Sequence, residues 1–357
     1  MEEDRAVRVS TLELFFDLVF VFTVTQLTAL LADEPNAEGV AKVVVLLMVT
    51  WWMYDGYAFL TNALALDIAA HRLLLLGGMG GFLIMALAIP TTFSGGGIAY
   101  GLGLLVVVGL HGGLYIRETS ASEALVLRGI LPYNLTAALL VFAGGIVEGD
   151  AQWVLTAAAA VLVWMSPAFY SLEGLHVAAA HFVERHGLVV IIALGESVVA
   201  LGIGAGGAEV DAELALIALL GLALSAALWW TYFGEEGSIE RALTGAPEAA
   251  RPRLALGFGY THGVLLLGVV LMAAGLKKAT GHPLDALEDM AAVELAAGVA
   301  LFVLADGALL RILRIAHGPA RAIAALLALA TIPLGLEVAA AVQVGALAAI
   351  VTAAARR

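Results

Sequence analysis

The chain contains 357 residues, of which 62% are hydrophobic and 13% are charged, and its mean hydropathy is +0.99. Soluble domains carry roughly 45–50% apolar and about 25% charged residues, so this composition excludes a soluble protein and predicts one embedded in a lipid bilayer. The formal net charge of −13 excludes nucleic acid as a partner. The absence of cysteine excludes disulfides, thiol nucleophiles and iron–sulfur clusters, and the sequence predicts no cofactor.

Apolar runs bounded by charged residues, glycine or proline predict twelve membrane-spanning helices. They occupy residues 11–32, 39–60, 72–90, 97–116, 124–147, 152–171, 187–206, 212–234, 254–276, 289–313, 319–335 and 337–355. Pro333 and Gly335 predict either a turn between the last two helices or a kink in one longer helix. The predicted fold class is therefore an all-α polytopic membrane protein without a soluble domain.

Basic residues divide unequally between the two ends of these helices. With twelve helices, both termini and the connections after even-numbered helices share one membrane side, which receives 14 of the 17 basic residues. The other side receives only Lys42, Lys277 and Lys278. Because basic residues concentrate in cytoplasmic loops, the N- and C-termini are predicted to be cytoplasmic.

A sequence repeat divides the chain into two halves. The segment Trp51–Gly56 (WWMYDG) agrees with Trp229–Gly234 (WWTYFG) at four of six positions, at an offset of 178 residues. Because six is an even number, both halves enter the membrane from the same side, and the repeat is parallel. We predict two parallel six-helix repeats, the first at residues 1–180 and the second at residues 181–357.

Carboxylates inside apolar runs are the strongest candidates for function. Glu13 and Asp17 are four residues apart and share one face of the first helix, and Glu196 follows Asp17 by 179 residues in the seventh helix. An ionised carboxylate at the bilayer centre costs about 2.5–3.5 kcal/mol, so such groups turn inward and find partners. We interpret Asp17 and Glu196 as lining a polar path, with structural hydrogen bonding between helices as the alternative. The position of Glu13 near the cytoplasmic edge favours a structural role.

Three further ionisable residues, His111, His262 and Asp306, fall within predicted helices. They are candidates for the same path, although a buried histidine more often makes a structural hydrogen bond than relays a proton. His111 and Asp306 occupy comparable places in the two halves. Asp55, beside the first tryptophan pair, is expected to be solvated.

The segment that joins the two halves has helical periodicity and carries a charged cluster on the predicted cytoplasmic side. His181 has Glu184 and Arg185 at i+3 and i+4, a spacing that predicts a local ion-paired cluster. Glu173 and His176 match the Glu-x-x-His spacing of di-iron proteins. The second copy that such a site needs is missing, so we expect no metal.

The residues favour transport or permeation of an ion or small solute along the path through Asp17 and Glu196. No phosphate-binding loop or nucleophile elbow is present, which favours a non-enzymatic protein. The alternative is an integral-membrane enzyme or an envelope or lipid-associated factor that acts through the cytoplasmic Glu/His cluster. The expected partners are the lipid bilayer and an unidentified ion or solute, and a homo-oligomer stays open.

Two long motifs carry a family resemblance. Leu12–Phe22 (LELFFDLVFVF) and His181–Ser197 (HFVERHGLVVIIALGES) resemble the bacterial low temperature requirement protein A (LtrA) family. The resemblance extends over nearly the whole chain, and it implies a multi-pass protein of the bacterial inner membrane. His186 stands where the family resemblance implies an aromatic residue.

Overall fold

The computed structural model describes residues 9–63, 68–118, 121–316 and 318–355. Within these ranges the chain forms helices joined by short connections and contains no strand, which confirms the all-α class. The α-helices are α1 (Thr11–Asp33), α2 (Ala37–Ala63), α3 (Ala69–Ala88), α4 (Gly97–Glu118), α5 (Ala121–Val147), α6 (Gly149–Met165), α7 (Ala179–Ala205), α8 (Ala212–Phe233), α9 (Glu236–Thr244), α10 (Arg251–Gly281), α11 (Asp289–Ile312), α12 (Ala320–Leu329), α13 (Ile332–Glu337) and α14 (Ala340–Ala355).

Ten segments of the described chain are long and apolar enough to cross a membrane. Large apolar side chains such as Leu73, Leu219 and Leu326 are exposed on these helices, as expected for surfaces that face lipid. One segment, residues 69–114, is 46 residues long. At 1.5 Å per residue a straight helix of that length would be about twice as long as the hydrocarbon core is thick.

The 46-residue segment is broken between α3 and α4. Ser94 (φ −137°, ψ 36°) and Gly95 (φ +113°) leave the helical region, and Gly95 adopts a backbone conformation that favours glycine. A second break, at residues 338–339, separates α13 from α14, which has only 16 residues. The predicted turn after Pro333 therefore lies a few residues further along the chain.

Two compact units share the chain. Unit 1 comprises Met1–Leu27, Ala41–Leu188 and Leu243–Leu256, and unit 2 comprises Thr28–Val40, Val189–Ala242 and Gly257–Arg357. Neither unit is one continuous stretch, because α1, α2, α7, α9 and α10 each contribute residues to both. The repeat boundary between residues 180 and 181 stays a prediction.

A close crossing of α3 and α4 organises part of unit 1. A Cβ atom on Gly81 would lie 3.0 Å from the carbonyl oxygen of Gly103, and one on Gly103 would lie 2.8 Å from that of Gly81. Only glycine allows this backbone approach. In a bilayer, small residues of this kind promote helix association because they bring the backbones together.

Unit 2 contains a crossing of the same kind between α10 and α11. A Cβ atom on Gly268 would lie 2.7 Å from the carbonyl oxygen of Gly298, and the reciprocal distance is 2.6 Å. A methionine follows the first glycine of each crossing by four residues and lies against the second glycine. These methionines are Met85 in unit 1 and Met272 in unit 2.

The connection before α7 differs from the helix expected there. Residues 171–178 form turns and irregular structure, and α7 begins only at Ala179. Gly174 has φ +91°, which a regular helix does not allow, and Pro167 in the preceding turn lacks the N–H group that helix propagation requires. Glu173 and His176 are consequently not on a helix.

The glycine crossing predicts a position-specific loss of stability. Gly81→Ala should lower the free energy of unfolding by about 1–3 kcal/mol because its Cβ meets the backbone of α4. Gly80→Ala, one residue away with no atom within 4 Å of its added Cβ, is the matched control and should be neutral or slightly stabilising. Thermal unfolding in detergent micelles measures both, and equal midpoints would contradict the close crossing.

Candidate functional site: the Arg185 cluster

A group of buried polar side chains in unit 1 brings three helices together. We call it the Arg185 cluster, and its members are Glu13 and Asp17 of α1, Tyr54 and Thr61 of α2, and His181 and Arg185 of α7. Each helix contributes two residues four or seven positions apart, a spacing that places both on one face. The two longest sequence motifs therefore meet in a single site.

The guanidinium group of Arg185 lies at the centre and is fully buried. Its Nη1 donates to Oε1 of Glu13 at 2.9 Å and to the hydroxyl of Thr61, and its Nη2 donates to Oδ1 of Asp17 at 3.2 Å. The same group lies 5.4 Å from the ring centroid of Phe16, a distance at which cation–π attraction contributes. One cation thus bridges both carboxylates of α1.

Glu13 has a hydrogen-bond donor for each oxygen. Oε1 accepts from Arg185 and lies 3.1 Å from Nε2 of His181. Oε2 accepts from the backbone N–H and the hydroxyl of Ser10, both at 2.9 Å. Because the Glu13 N–H in turn donates to the Ser10 hydroxyl, the two residues form a capping box that starts α1. This arrangement supports the structural role expected for Glu13.

Asp17 retains unused hydrogen-bonding capacity. Its Oδ1 accepts from Arg185 and from the hydroxyl of Tyr54 at 2.6 Å, while its buried Oδ2 has no partner among the described residues. The Nε of Arg185 and the Nδ1 of His181 are also buried without a hydrogen-bond partner in the described chain. The cluster therefore contains donors and acceptors beyond those that its own members satisfy.

A second buried pair lies beside the cluster and joins α2 to α7. Nε2 of His186 is 3.0 Å from Oδ1 of Asp55, and Nδ1 of His186 is 2.9 Å from the carbonyl oxygen of Phe182. The expectation that Asp55 is solvated is wrong, because its exposed fraction is only 6%. A buried carboxylate requires a partner, and His186 supplies it.

A cavity of about 60 Å³ opens next to this pair, within unit 1. The polar side chains in its wall include Asp55, His111 and Asn134, and apolar side chains form most of the remainder. Nε2 of His111 is 3.0 Å from the carbonyl oxygen of Gly56, so it donates a hydrogen bond there. The cavity is large enough to hold water beside these polar groups.

Comparison with known proteins identifies the chain. Residues 8–356 match the model of the bacterial low temperature requirement A protein (LtrA) family. The chain belongs to the LtrA family. It is also similar to an uncharacterized protein, RA0937, of Rhizobium meliloti (strain 1021), with 26% identity over 285 residues that cover 76% of this chain and 69% of the relative. The resemblance inferred from the two motifs is confirmed.

The charged segment of this LtrA protein makes contacts other than the local ones expected from its spacing. His181 and Arg185 face Glu13 and Asp17 of α1, whereas Glu184 is exposed and accepts a hydrogen bond from the Val9 N–H at 3.3 Å. Positions 181 and 185 share a helix face, and that face packs against the buried carboxylates of α1. The resulting ion pairs join distant parts of the chain.

The Glu-x-x-His spacing does not assemble a metal site in the described residues. Glu173 is exposed, and Nδ1 of His176 lies 3.8 Å from Oε1 of Glu248 at the surface. The described chain contains no group of three or more histidine, aspartate or glutamate side chains that could hold a metal ion. The alternative Glu/His cluster is thus divided between separate contacts.

In unit 2 two of the proposed path residues have well-defined partners. Nε of Arg321 donates to Oδ2 of Asp306 at 2.9 Å, which forms a buried ion pair. His262 lies 2.8 Å from the hydroxyl of Tyr232 through Nε2, and 2.8 Å from the carbonyl oxygen of Phe258 through Nδ1. These contacts are of the kind that structural hydrogen bonding makes, and a part for either residue in the polar path stays a prediction.

Glu196 and Glu294 are the other buried acids of unit 2. Glu196 is only 3% exposed on α7, and its part in the polar path stays a prediction. Glu294, in the second turn of α11, is 1% exposed, and neither of its oxygens has a hydrogen-bond partner among the described residues. Lys278 is near enough to attract it electrostatically. The sequence prediction omitted Glu294, although it is an acid within an apolar run, the signal that identified Asp17.

The cluster predicts that loss of its cation destabilises the protein strongly. Arg185→Met leaves two buried carboxylates without their counterion, which should cost about 3–5 kcal/mol, whereas Arg253→Met at an exposed position should cost little. Adding Asp17→Asn and Glu13→Gln to Arg185→Met should recover part of the loss. Thermal unfolding in micelles provides the comparison, and equal midpoints for the two single variants would disprove the central role of Arg185.

Proposed function

We propose that this LtrA-family protein moves an ion or small solute across the membrane, with the Arg185 cluster and the Asp55–His186 pair as its charged centre in unit 1. The observation that carries the proposal is an excess of buried acid. Three carboxyl groups face one arginine and two histidines in apolar helices. These residues are Glu13, Asp17, Asp55, Arg185, His181 and His186.

The net charge of this group depends on protons. With both histidines neutral and all carboxyls ionised, three negative charges oppose one positive charge, and the balance is −2. Two added protons bring the balance to zero. Intramembrane ionisable groups are costly and therefore mark ion pathways and proton relays by default, and histidine titrates in the physiological range. The excess of carboxyl groups favours a cation as the transported or coupling ion.

The proposal includes twelve membrane crossings instead of ten. The 46-residue apolar segment contains two helices that turn back at residues 94–95, which supports two crossings in place of one. The apolar α14, with 16 residues, supplies a further short crossing beside the segment of α12 and α13. An even number of crossings agrees with the unequal distribution of basic residues. This distribution of basic residues supports an inner-membrane protein with both termini in the cytoplasm.

Corresponding residues support two parallel repeats. Besides the shared glycine crossing, a buried polar residue follows the second glycine by eight positions in each unit, namely His111 and Asp306. Gln152 is the fourth residue of α6, and Gln343 is the fourth residue of α14. Each donates from Nε2 to a backbone carbonyl oxygen in its own unit. Duplication of an ancestral bundle accounts for these similarities together.

The alternatives have less support. A purely structural role is favoured by the complete hydrogen bonding of Glu13, but it leaves the unused Oδ2 of Asp17 without explanation. An enzyme that acts through Glu173, His176, His181 and Glu184 has no observation in its favour, because His181 is buried against Glu13 while the other three side chains are exposed.

Cysteine labelling tests the twelve crossings, because the natural chain has no cysteine. Ser94→Cys and Ala208→Cys, both at exposed positions in connections, should react from the outside with a membrane-impermeant maleimide. Ala249→Cys should react only after the membrane is permeabilised. Protection of Ser94→Cys would favour a single crossing by residues 69–114, and the reverse pattern for the other two would invert the orientation.

Transport is tested with purified protein in liposomes, with H⁺, Na⁺ and K⁺ as probe ions and a dye or electrode readout. Wild-type protein should carry at least one of these ions faster than protein-free liposomes, and Asp17→Asn should reduce the rate at least tenfold. Glu184→Gln, a neighbouring exposed acid, is the control and should keep the wild-type rate. The proposal is wrong if folded Asp17→Asn protein matches the wild type, or if none of the ions moves.

A further inference from the structure

The hydrogen bonds of His186 determine where its protons lie. Nδ1 is 2.9 Å from the carbonyl oxygen of Phe182, and a carbonyl oxygen can only accept, so Nδ1 carries a proton. In a neutral imidazole the other nitrogen, Nε2, is then a bare acceptor. Yet Nε2 lies 3.0 Å from Oδ1 of Asp55, which as a carboxylate is also an acceptor.

Two bare acceptors at this distance repel each other, so the contact requires one more proton. Either His186 is an imidazolium that donates to the Asp55 carboxylate, or Asp55 is a carboxylic acid that donates to neutral His186. Both forms have zero net charge, which is the least costly state for a buried pair in an apolar environment. Both hold one proton more than a neutral histidine and a carboxylate hold separately.

His262 in unit 2 shows the same backbone geometry without this requirement. Its Nδ1 is 2.8 Å from the carbonyl oxygen of the residue four positions earlier, as in His186. Its Nε2, however, is 2.8 Å from the hydroxyl of Tyr232, which can donate its own proton. A neutral His262 satisfies both contacts and serves as an internal reference for His186.

The Asp55 end of the pair lies in the wall of the cavity of about 60 Å³. Water in this cavity would connect Asp55 to the surface formed by residues 170–175 and the start of α10, which supply part of the wall. Proton exchange with water is therefore expected at Asp55.

The surroundings of the pair favour holding this proton. The titratable groups that share the cavity wall with Asp55 are His111 and Tyr170, while α5 and α10 contribute uncharged residues there. Arg185 precedes His186 on α7, and its guanidinium group forms ion pairs with Glu13 and Asp17. The two negative charges of these carboxylates exceed the one positive charge of Arg185. Other titratable groups of α2 and α7 in this part of unit 1 are Tyr54, Tyr57 and His181.

We propose that Asp55 and His186 form a proton-binding site reached through the cavity, and that H⁺ is the ion that the protein transports or couples to a solute. The role of H⁺ in transport rests on the function proposed above. The bound proton itself does not, because it is a property of the two side chains and can be measured without flux.

The test is ¹⁵N NMR of histidine-labelled full-length protein in lipid nanodiscs at neutral pH, combined with infrared spectroscopy of the carboxyl groups. Variants His186→Gln and His262→Gln assign the signals. His262 should be neutral with the proton on Nδ1. His186 should be doubly protonated, or else neutral with a carboxylic-acid band that disappears in Asp55→Asn.

Asp55→Asn provides the second arm, because an amide N–H₂ group can donate to Nε2 and removes the need for the extra proton. In folded Asp55→Asn protein His186 should be neutral and the carboxylic-acid band should be absent, whereas Glu184→Gln should leave the wild-type His186 signal unchanged. If Asp55→Asn does not fold, the wild-type spectra decide alone. A neutral wild-type His186 without an Asp55 acid band would overturn the proposal.

The spectroscopic and flux outcomes are separable. An extra proton in a protein that moves none of the probe ions would leave the binding site standing and would disprove transport. Flux of Na⁺ or K⁺ by a protein whose His186 is neutral and whose Asp55 is ionised would support transport and disprove the proton site. Wild-type H⁺ flux that falls at least tenfold in Asp55→Asn would support both.

Discussion

The buried guanidinium group of Arg185 makes the interactions on which the described part of unit 1 depends. Removing an arginine and two carboxylates from water is expensive, and the mutual attraction of these charges offsets that cost only when the geometry is good and the remaining donors find partners. Here Glu13, Asp17 and Thr61 accept from one side chain. Because these partners belong to α1 and α2 while Arg185 belongs to α7, the charges hold the three helices in one arrangement.

The two units balance their buried charges differently. In unit 2 the ion pair of Asp306 and Arg321 joins one acid to one base, and Arg321 also donates to two backbone carbonyl oxygens. Unit 2 also buries Glu196 and Glu294, so acids outnumber the buried arginine there as well. In unit 1, however, three acids lie together with one arginine and two histidines in neighbouring contacts, and the charge of this group changes when protons bind. This arrangement is the physical basis for proposing ion movement in unit 1.

Helix packing provides the frame that makes such a site possible. Lipid tails are as apolar as leucine, so burial of apolar surface does not drive helices together in a bilayer. The glycine crossings in both units bring backbones into contact, and Gln152 and Gln343 each tie a helix start to a neighbouring carbonyl oxygen. These hydrogen bonds form within the protein, where the hydrocarbon offers no partners.

Local patterns were sufficient to predict the helical class, the membrane environment, most helix positions and the acids Glu13 and Asp17, because composition and periodicity are properties of neighbouring residues. The LtrA motifs were recognisable for the same reason. Only the tertiary structure decided which motifs contact each other. Asp17 and Arg185 are 168 residues apart, and Asp55 and His186 are 131 residues apart. No local period encodes a contact at that separation. The helix expected at Glu173 and His176 does not form, because Gly174 adopts a positive φ.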